Sequence, residues 1–83
     1  MSDWYVYMLR CADNTLYTGI TTNVERRVGE HNNSDRLAAR YTRARRPVVL
    51  VWKEHHANRS SASKREAALK KMNRSLKEQL FNR

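Results

Sequence analysis

Tyr7 and Tyr17 lie ten residues apart, and Arg27 follows Tyr17 by another ten. Both tyrosines fall in strand-like stretches, whereas Arg27 falls in a segment of helical pattern. His31 comes one turn after Arg27 and shares its helix face. If residues 10 and 14 close the turn between the strands, Tyr7 lies directly opposite Tyr17, and both phenols point to one face of the sheet. Two phenols, a guanidinium and an imidazole would then converge beside a hairpin. Such a set suits phosphodiester hydrolysis. One group must deprotonate water, one must neutralise charge on a five-coordinate phosphorus, and one must help the leaving oxygen depart. A tyrosine serves as base only as phenolate, so its ordinary pKa of about 10 must fall, as a nearby cation can make it do. Spacing alone favours a plainer reading, in which the tyrosines pack a strand and the arginine lies on the surface.

The elements that must position these groups follow in order. Trp4–Leu9 has strand propensity, Ala12-Asp13-Asn14 supplies turn residues, and Thr15–Ile20 completes a hairpin. Thr22-Asn23-Val24-Glu25 fits a capping box with Thr22 as N-cap, which predicts a helix from Asn23 to about His31. Asn32–Asp35 is loop-like and leads into an arginine-rich stretch from Arg36 to Arg46, which Pro47 ends. Val48–Glu54 is the third strand. Its unbroken apolar run predicts cover on both faces, as the central strand or as one beneath a helix. From Ser60 the period becomes helical, with Ala62, Leu69 and Met72 on the buried face. Asn73 then caps a last helix whose Leu76, Leu80 and Phe81 pack inward. The predicted fold is α+β, in the order β-β-α-β-α-α. It is a three-stranded, largely antiparallel β-sheet with helices packed against it.

All 83 residues are read as one domain, 1–83. A chain of this length buries only about 60–65% of its unfolded surface, so nearly every apolar residue must pack. The 40% hydrophobic content supplies a single layer of helices on a small sheet. Seventeen Lys and Arg against eight acids give a net charge of +9, which favours a polyanionic partner through counterion release. A merely soluble basic protein is the alternative. No basic helix carries the broad apolar face that membrane binding needs. Cys11 is alone, so there is neither a disulfide framework nor a thiolate zinc site, and it reads as a small packing residue. His55 and His56 read as strand-end surface residues, too few to hold zinc. The opening Met-Ser-Asp-Trp lacks the pattern of a signal peptide, and Val48–Trp52 is too short to span a bilayer. A cytoplasmic address is expected.

Several segments together resemble the GIY-YIG superfamily of nucleases, whose name records two short strand motifs. They stand here as Tyr5-Val6-Tyr7 and Tyr17-Thr18-Gly19. The likeness continues through Thr21-Thr22-Asn23-Val24-Glu25-Arg26-Arg27 and Lys64-Arg65-Glu66-Ala67-Ala68. Arg40-Tyr41-Thr42-Arg43 and Arg45-Arg46-Pro47-Val48 are similar to a branch of small, single-domain bacterial members. The resemblance implies a metal-dependent endonuclease acting on DNA, structure- or lesion-directed as in DNA repair. Tyr17 would be the general base or proton relay, and Tyr7 would support the nucleophile or bond a phosphate oxygen. Arg27 would hold the scissile phosphate with its planar fork. His31 would assist proton transfer. Glu66 would be the only protein ligand of Mg²⁺ or Mn²⁺, with waters completing the octahedron.

Departures from the family pattern bear on rate and substrate more than on fold. Tyr5 replaces the first glycine, Thr18 replaces an aliphatic residue, and Ile20 stands where DNA-repair members carry lysine. The asparagine that often follows the metal glutamate has only Asn73, poorly spaced, as a counterpart. Glu66 also fits a capping box with Ser63. Five arginines in the eleven residues 36–46 repel one another without a polyanion, so Arg40, Arg43, Arg45 and Arg46 are candidate phosphate contacts. Lys64 and Lys70 are further candidates, although a helical charge run is commonly a solvated face. Tyr41 is a candidate for base stacking, while Trp52 is better suited to a covered position. A nucleic-acid-binding module of the same fold, with little or no catalysis, is the alternative function. A protein partner is a candidate source of specificity.

Overall fold

The computed structural model describes residues 3–81. Strands β1 (Trp4–Arg10), β2 (Leu16–Thr21) and β3 (Val49–His56) form one antiparallel sheet in the order β2-β1-β3. Helices α1 (Val24–Asn33) and α2 (Arg40–Arg43) follow the hairpin, and α3 (Arg59–Lys70) and α4 (Arg74–Glu78) follow β3. The α+β architecture and the antiparallel sheet are as predicted. Helix α2 is an addition, a single turn inside the arginine-rich stretch and too short for any periodicity to reveal.

Both sheet faces are covered, so the helices form two layers rather than one. Tyr7, Leu9, Cys11, Val24 and Val48 make the core on one face, and Val6, Met8, Ala62 and Leu69 make the core on the other. The central strand is β1, not β3, with Val6–Leu9 buried without a break. Strand β3 is an edge strand with no fully buried residue, and Val49 is 59% exposed. Its apolar run has another cause. Met8 pairs with Trp52 but Leu9 pairs with Leu50, so Val51 is the extra residue of a bulge. Val51 and Trp52 both pack towards α3, while Leu50 serves the opposite core.

The hairpin closes one position later than the 10–14 pairing assumed. Cys11 N donates to Thr15 O at 2.8 Å, and Asn14 N donates to Cys11 O at 2.9 Å. Asn14 takes a φ of 69°, a left-handed position that asparagine tolerates in three-residue turns. Asp13 secures the turn by accepting from Thr15 N (3.1 Å) and the Thr15 hydroxyl (2.6 Å). Tyr7 therefore faces Gly19, and Tyr17 faces Leu9. The pairing has slipped by an even number of residues, so both tyrosines keep the expected common face.

Helix α1 starts one residue later than the capping box predicted. Asn23, not Thr22, is the N-cap, and its Oδ1 accepts from Arg26 N at 3.0 Å. The other end of α1 is clamped from a distance. Arg46 donates to His31 O (2.7 Å) and Ser34 O (2.9 Å), satisfying carbonyls of the last turn. The Asn32 side chain donates to Val48 O (3.0 Å) and accepts from Val48 N (2.7 Å). Helix α3 is capped by Asn58, whose Oδ1 accepts from Ser61 N at 2.8 Å, which leaves Glu66 in mid-helix rather than in a capping box. Asn73 caps α4 as expected. Leu80 and Phe81 pack inward, but Leu76 is 44% exposed. Among the described residues no helix is long and apolar enough to cross a membrane.

Candidate active site

The site is organised around Tyr7 on the central strand. Its ring lies across Gly19 of the neighbouring strand, where a Cβ would stand 2.6 Å from the hydroxyl and 2.8 Å from Cζ. Glycine is needed at 19 for space, since only a bare backbone leaves room for the phenol. Gly19→Ala is expected to push the Tyr7 ring aside. The ring is buried and hydrogen-bonded and cannot swing freely, so the variant should lose about 1–3 kcal/mol in urea unfolding. An alanine variant as stable as the wild type would show that the ring has somewhere else to go.

Tyr7 Oη lies 2.8 Å from His31 Nε2, and His31 Nδ1 lies 2.7 Å from Thr42 Oγ1. All three side chains are enclosed, Tyr7 being 1% exposed. Tyr17 meets the His31 ring edge to face at 5.2 Å, with its centroid 6.4 Å from that of Tyr7. Tyr41 stacks on Tyr17 at 5.9 Å, and the Arg45 guanidinium covers Tyr41 at 3.9 Å while bonding Asp13 at 3.0 Å. Burial, above all, pushes the Tyr7 phenol above the ordinary range; Tyr17 and Glu66 act in the same sense, and Arg27 opposes them. Burial also lowers the His31 pKa to about 4, helped by Arg27 and Arg46 and opposed by Glu30. At neutral pH the phenol and the imidazole are thus both uncharged.

Arg27, presented by α1, is the cation beside Tyr7. Its Nη1 is anchored by Glu30 Oε1 (2.9 Å) and Leu37 O (2.6 Å), which fix the guanidinium in place. Glu66, presented by α3, is near enough for its charge to act on Tyr7. Its side chain is 23% exposed and pairs with the exposed Lys70 at 3.3 Å, a contact of little strength. Among the described residues no three His, Cys, Asp or Glu cluster as metal ligands. A lone, partly exposed carboxylate is a poor zinc site but suits Mg²⁺, which keeps most of its water.

The residues expected to meet a polyanion divide by what they hold. Arg40, Arg43 and Arg45 line, with Tyr41 and Ala44, a shallow hollow of about 600 Å³. Arg43 donates to Asp35 O, and Arg45 to Tyr41 O and Asp13. Arg46 spends its guanidinium on the end of α1 and on Asp35 at 2.8 Å, which makes it a clamp of the fold. Lys64 is exposed but projects roughly 200° around α3 from Glu66, away from the site. Tyr41 stacks on Tyr17 and lies against the Arg45 guanidinium, while 37% of it stays exposed.

Comparison with known proteins agrees with this architecture. The family model of the GIY-YIG catalytic domain matches residues 3–80. The chain belongs to the GIY-YIG family, a nuclease superfamily. It is similar to small proteins of bacteria and archaea named UPF0213. One from Natronomonas pharaonis is 53% identical over 95% of this chain and 91% of its own length. Another from Desulfotalea psychrophila is 61% identical over 83% of this chain, which spans 62% of that relative's length. Among solved structures, a solution NMR structure of a protein from E. faecalis aligns with a TM-score of 0.65 at 43% identity, covering 95% of this chain and 82% of that one. The UPF0213 protein of Bacillus halodurans aligns with a TM-score of 0.59 at 40% identity, covering 94% and 81%.

Sequence reasoning brought Tyr7, Tyr17, Arg27, His31 and Glu66 forward but gave no role to Gly19 or Thr42. Gly19 carried a usable signal, as a strand glycine marks a bulge or a close approach. Thr42 carried none, because its partner lies eleven residues away through an irregular segment.

Proposed function

We propose that this chain is a metal-dependent endonuclease that hydrolyses phosphodiester bonds in DNA, with branched, flapped or damaged DNA as its substrate class. The observation that carries the reading is the convergence of the buried Tyr7–His31 pair with Tyr17, Arg27 and the charge of Glu66. Tyr17, half-buried at the edge of this cluster, is the general base or the phenol that relays the proton of water. Arg27 holds the scissile phosphate, and Tyr7 and His31 support both from beneath. Glu66 is the protein ligand of Mg²⁺ or Mn²⁺, which when bound would polarise a phosphoryl oxygen and acidify water. The protein is assigned to the cytoplasm as one domain, with specificity open to a protein partner. The test is a titration of Mg²⁺ and Mn²⁺ against nicked, branched, flapped, abasic and single-stranded DNA. Cutting that appears with metal supports the enzyme. No cutting on any substrate leaves a nucleic-acid-binding module, a reading favoured only by the hold of Lys70 on Glu66.

Binding itself should weaken steeply with salt, by a log–log slope of about −0.9 per phosphate contacted on duplex DNA. Arg40→Ala together with Arg43→Ala is expected to flatten that slope by one to two contacts, as read by fluorescence anisotropy across a salt series. Arg45 and Arg46 are unsuitable for this test because both hold the fold. An unchanged slope would remove α2 from the interface.

A further inference from the structure

We propose that Thr42 is a positioning residue that fixes His31 as its Nδ1–H tautomer and so turns the lone pairs of Tyr7 towards Arg27. The argument is a count of protons along one buried chain. The Thr42 hydroxyl donates to Ala39 O at 3.0 Å, the back-bond open to a threonine in a helical turn. A hydroxyl has one proton, so Thr42 Oγ1 meets His31 Nδ1 as an acceptor, and Nδ1 must carry a hydrogen. A neutral imidazole has only one N–H, so Nε2 is bare and accepts from the Tyr7 hydroxyl. The Tyr7 proton is thereby committed to His31, and its oxygen offers only lone pairs to the cation beside it.

The opposite tautomer would reverse the chain. Nε2–H would donate to the Tyr7 oxygen, and the phenol proton would have to turn elsewhere, towards the guanidinium side included. That arrangement sets a positive hydrogen against a positive neighbour. With all three groups enclosed, no water is at hand to correct it. Thr42 lies on α2, between Arg40 and Arg43, so one short helix both faces the basic hollow and sets the proton order beneath Arg27. The value of this order for cleavage rests on the nuclease reading, whereas the tautomer does not.

The test is a long-range ¹H–¹⁵N NMR spectrum of His31 at pH 7 in the wild type, Thr42→Val and Thr42→Ser. The wild type should show Nδ1 protonated and Nε2 bare. Thr42→Val should shift the tautomer ratio towards Nε2–H by about fivefold, the weight of one hydrogen bond, and Thr42→Ser should restore it. On DNA, Thr42→Val should lower kcat by a similar factor with KM unchanged. A wild type protonated at Nε2, or a ratio that Thr42→Val leaves alone, overturns the proposal, and the first outcome needs no variant to fold. The expected spectra without cleavage by any of the three proteins would uphold the tautomer and remove the nuclease reading instead.

Discussion

Arg27→Ala and Glu66→Ala are expected to bind DNA within roughly tenfold of the wild type while losing about 10²–10³-fold in cleavage rate. The two figures differ because affinity and rate draw on different groups. Affinity to a polyanion is spread over many cations, and removing one phosphate contact among several costs on the order of 1–2 kcal/mol. On the proposed reading, stabilisation of charge that develops only in the transition state is concentrated in the guanidinium beside Tyr7 and in the metal that Glu66 would hold. Arg27 also bonds Glu30 and Leu37 O, so its alanine variant should be compared at a temperature where both proteins are folded. Glu66 has only the exposed Lys70 as an ion partner among the described residues, which makes its variant the cleaner of the two. Single-turnover cleavage beside anisotropy titrations separates rate from affinity. A Glu66→Ala protein that cuts at the wild-type rate would end the assignment of Glu66 to the metal.

Acid should destabilise this fold earlier than its surface carboxylates would require. His31 is enclosed, with its pKa lowered to about 4, against an ordinary value of about 6.5 for an unfolded histidine. Between those values the unfolded chain binds a proton that the folded chain refuses, so stability rises with pH. The contribution is therefore full above about 6.5 and is lost as pH falls towards 4. Its size is on the order of 3 kcal/mol at 1.36 kcal/mol per pKa unit. Urea midpoints measured at pH 7.0, 5.5 and 4.5 should fall in step, and His31→Asn should flatten the series. A wild-type profile that is level across this window would mean that the imidazole finds a way to hold its proton inside.

The parts of this architecture legible in the sequence are those set by short-range pattern. Alternation along β1 and β2 put Tyr7 and Tyr17 on one face, and the later closure of the hairpin kept them there because it shifted the pairing by an even number of residues. The cap at Asn73 is local and decides where α4 begins, whereas the cap of α3 at Asn58 lies two residues before the point where the helical period becomes visible. What escaped depends on contacts between distant segments. Arg46 reads as one more cation in a basic run until its guanidinium is found on the last turn of α1, fifteen residues back from it at His31 O. The rank of β3 within the sheet was equally hidden, since a bulge gave an edge strand the continuous apolar run of a central one. The residues that meet in the candidate site were brought forward by their family motifs, but the proton order proposed within it required the position of Thr42.

The close passage of the Tyr7 ring over Gly19 makes the permitted residues at these two positions depend on each other. In a library that varies position 19 alone, it will look intolerant because of the ring above it, and that profile will report the space Tyr7 takes rather than a chemistry of its own. Varied together, a small residue at 7 opens the space that a side chain at 19 requires, so Gly19→Ala should be far milder in a Tyr7→Val background. Removing only the hydroxyl would not suffice, because the ring carbon at 2.8 Å remains in the way. A lineage that abandoned the phenol would be free to let the glycine drift, and one that kept it would not.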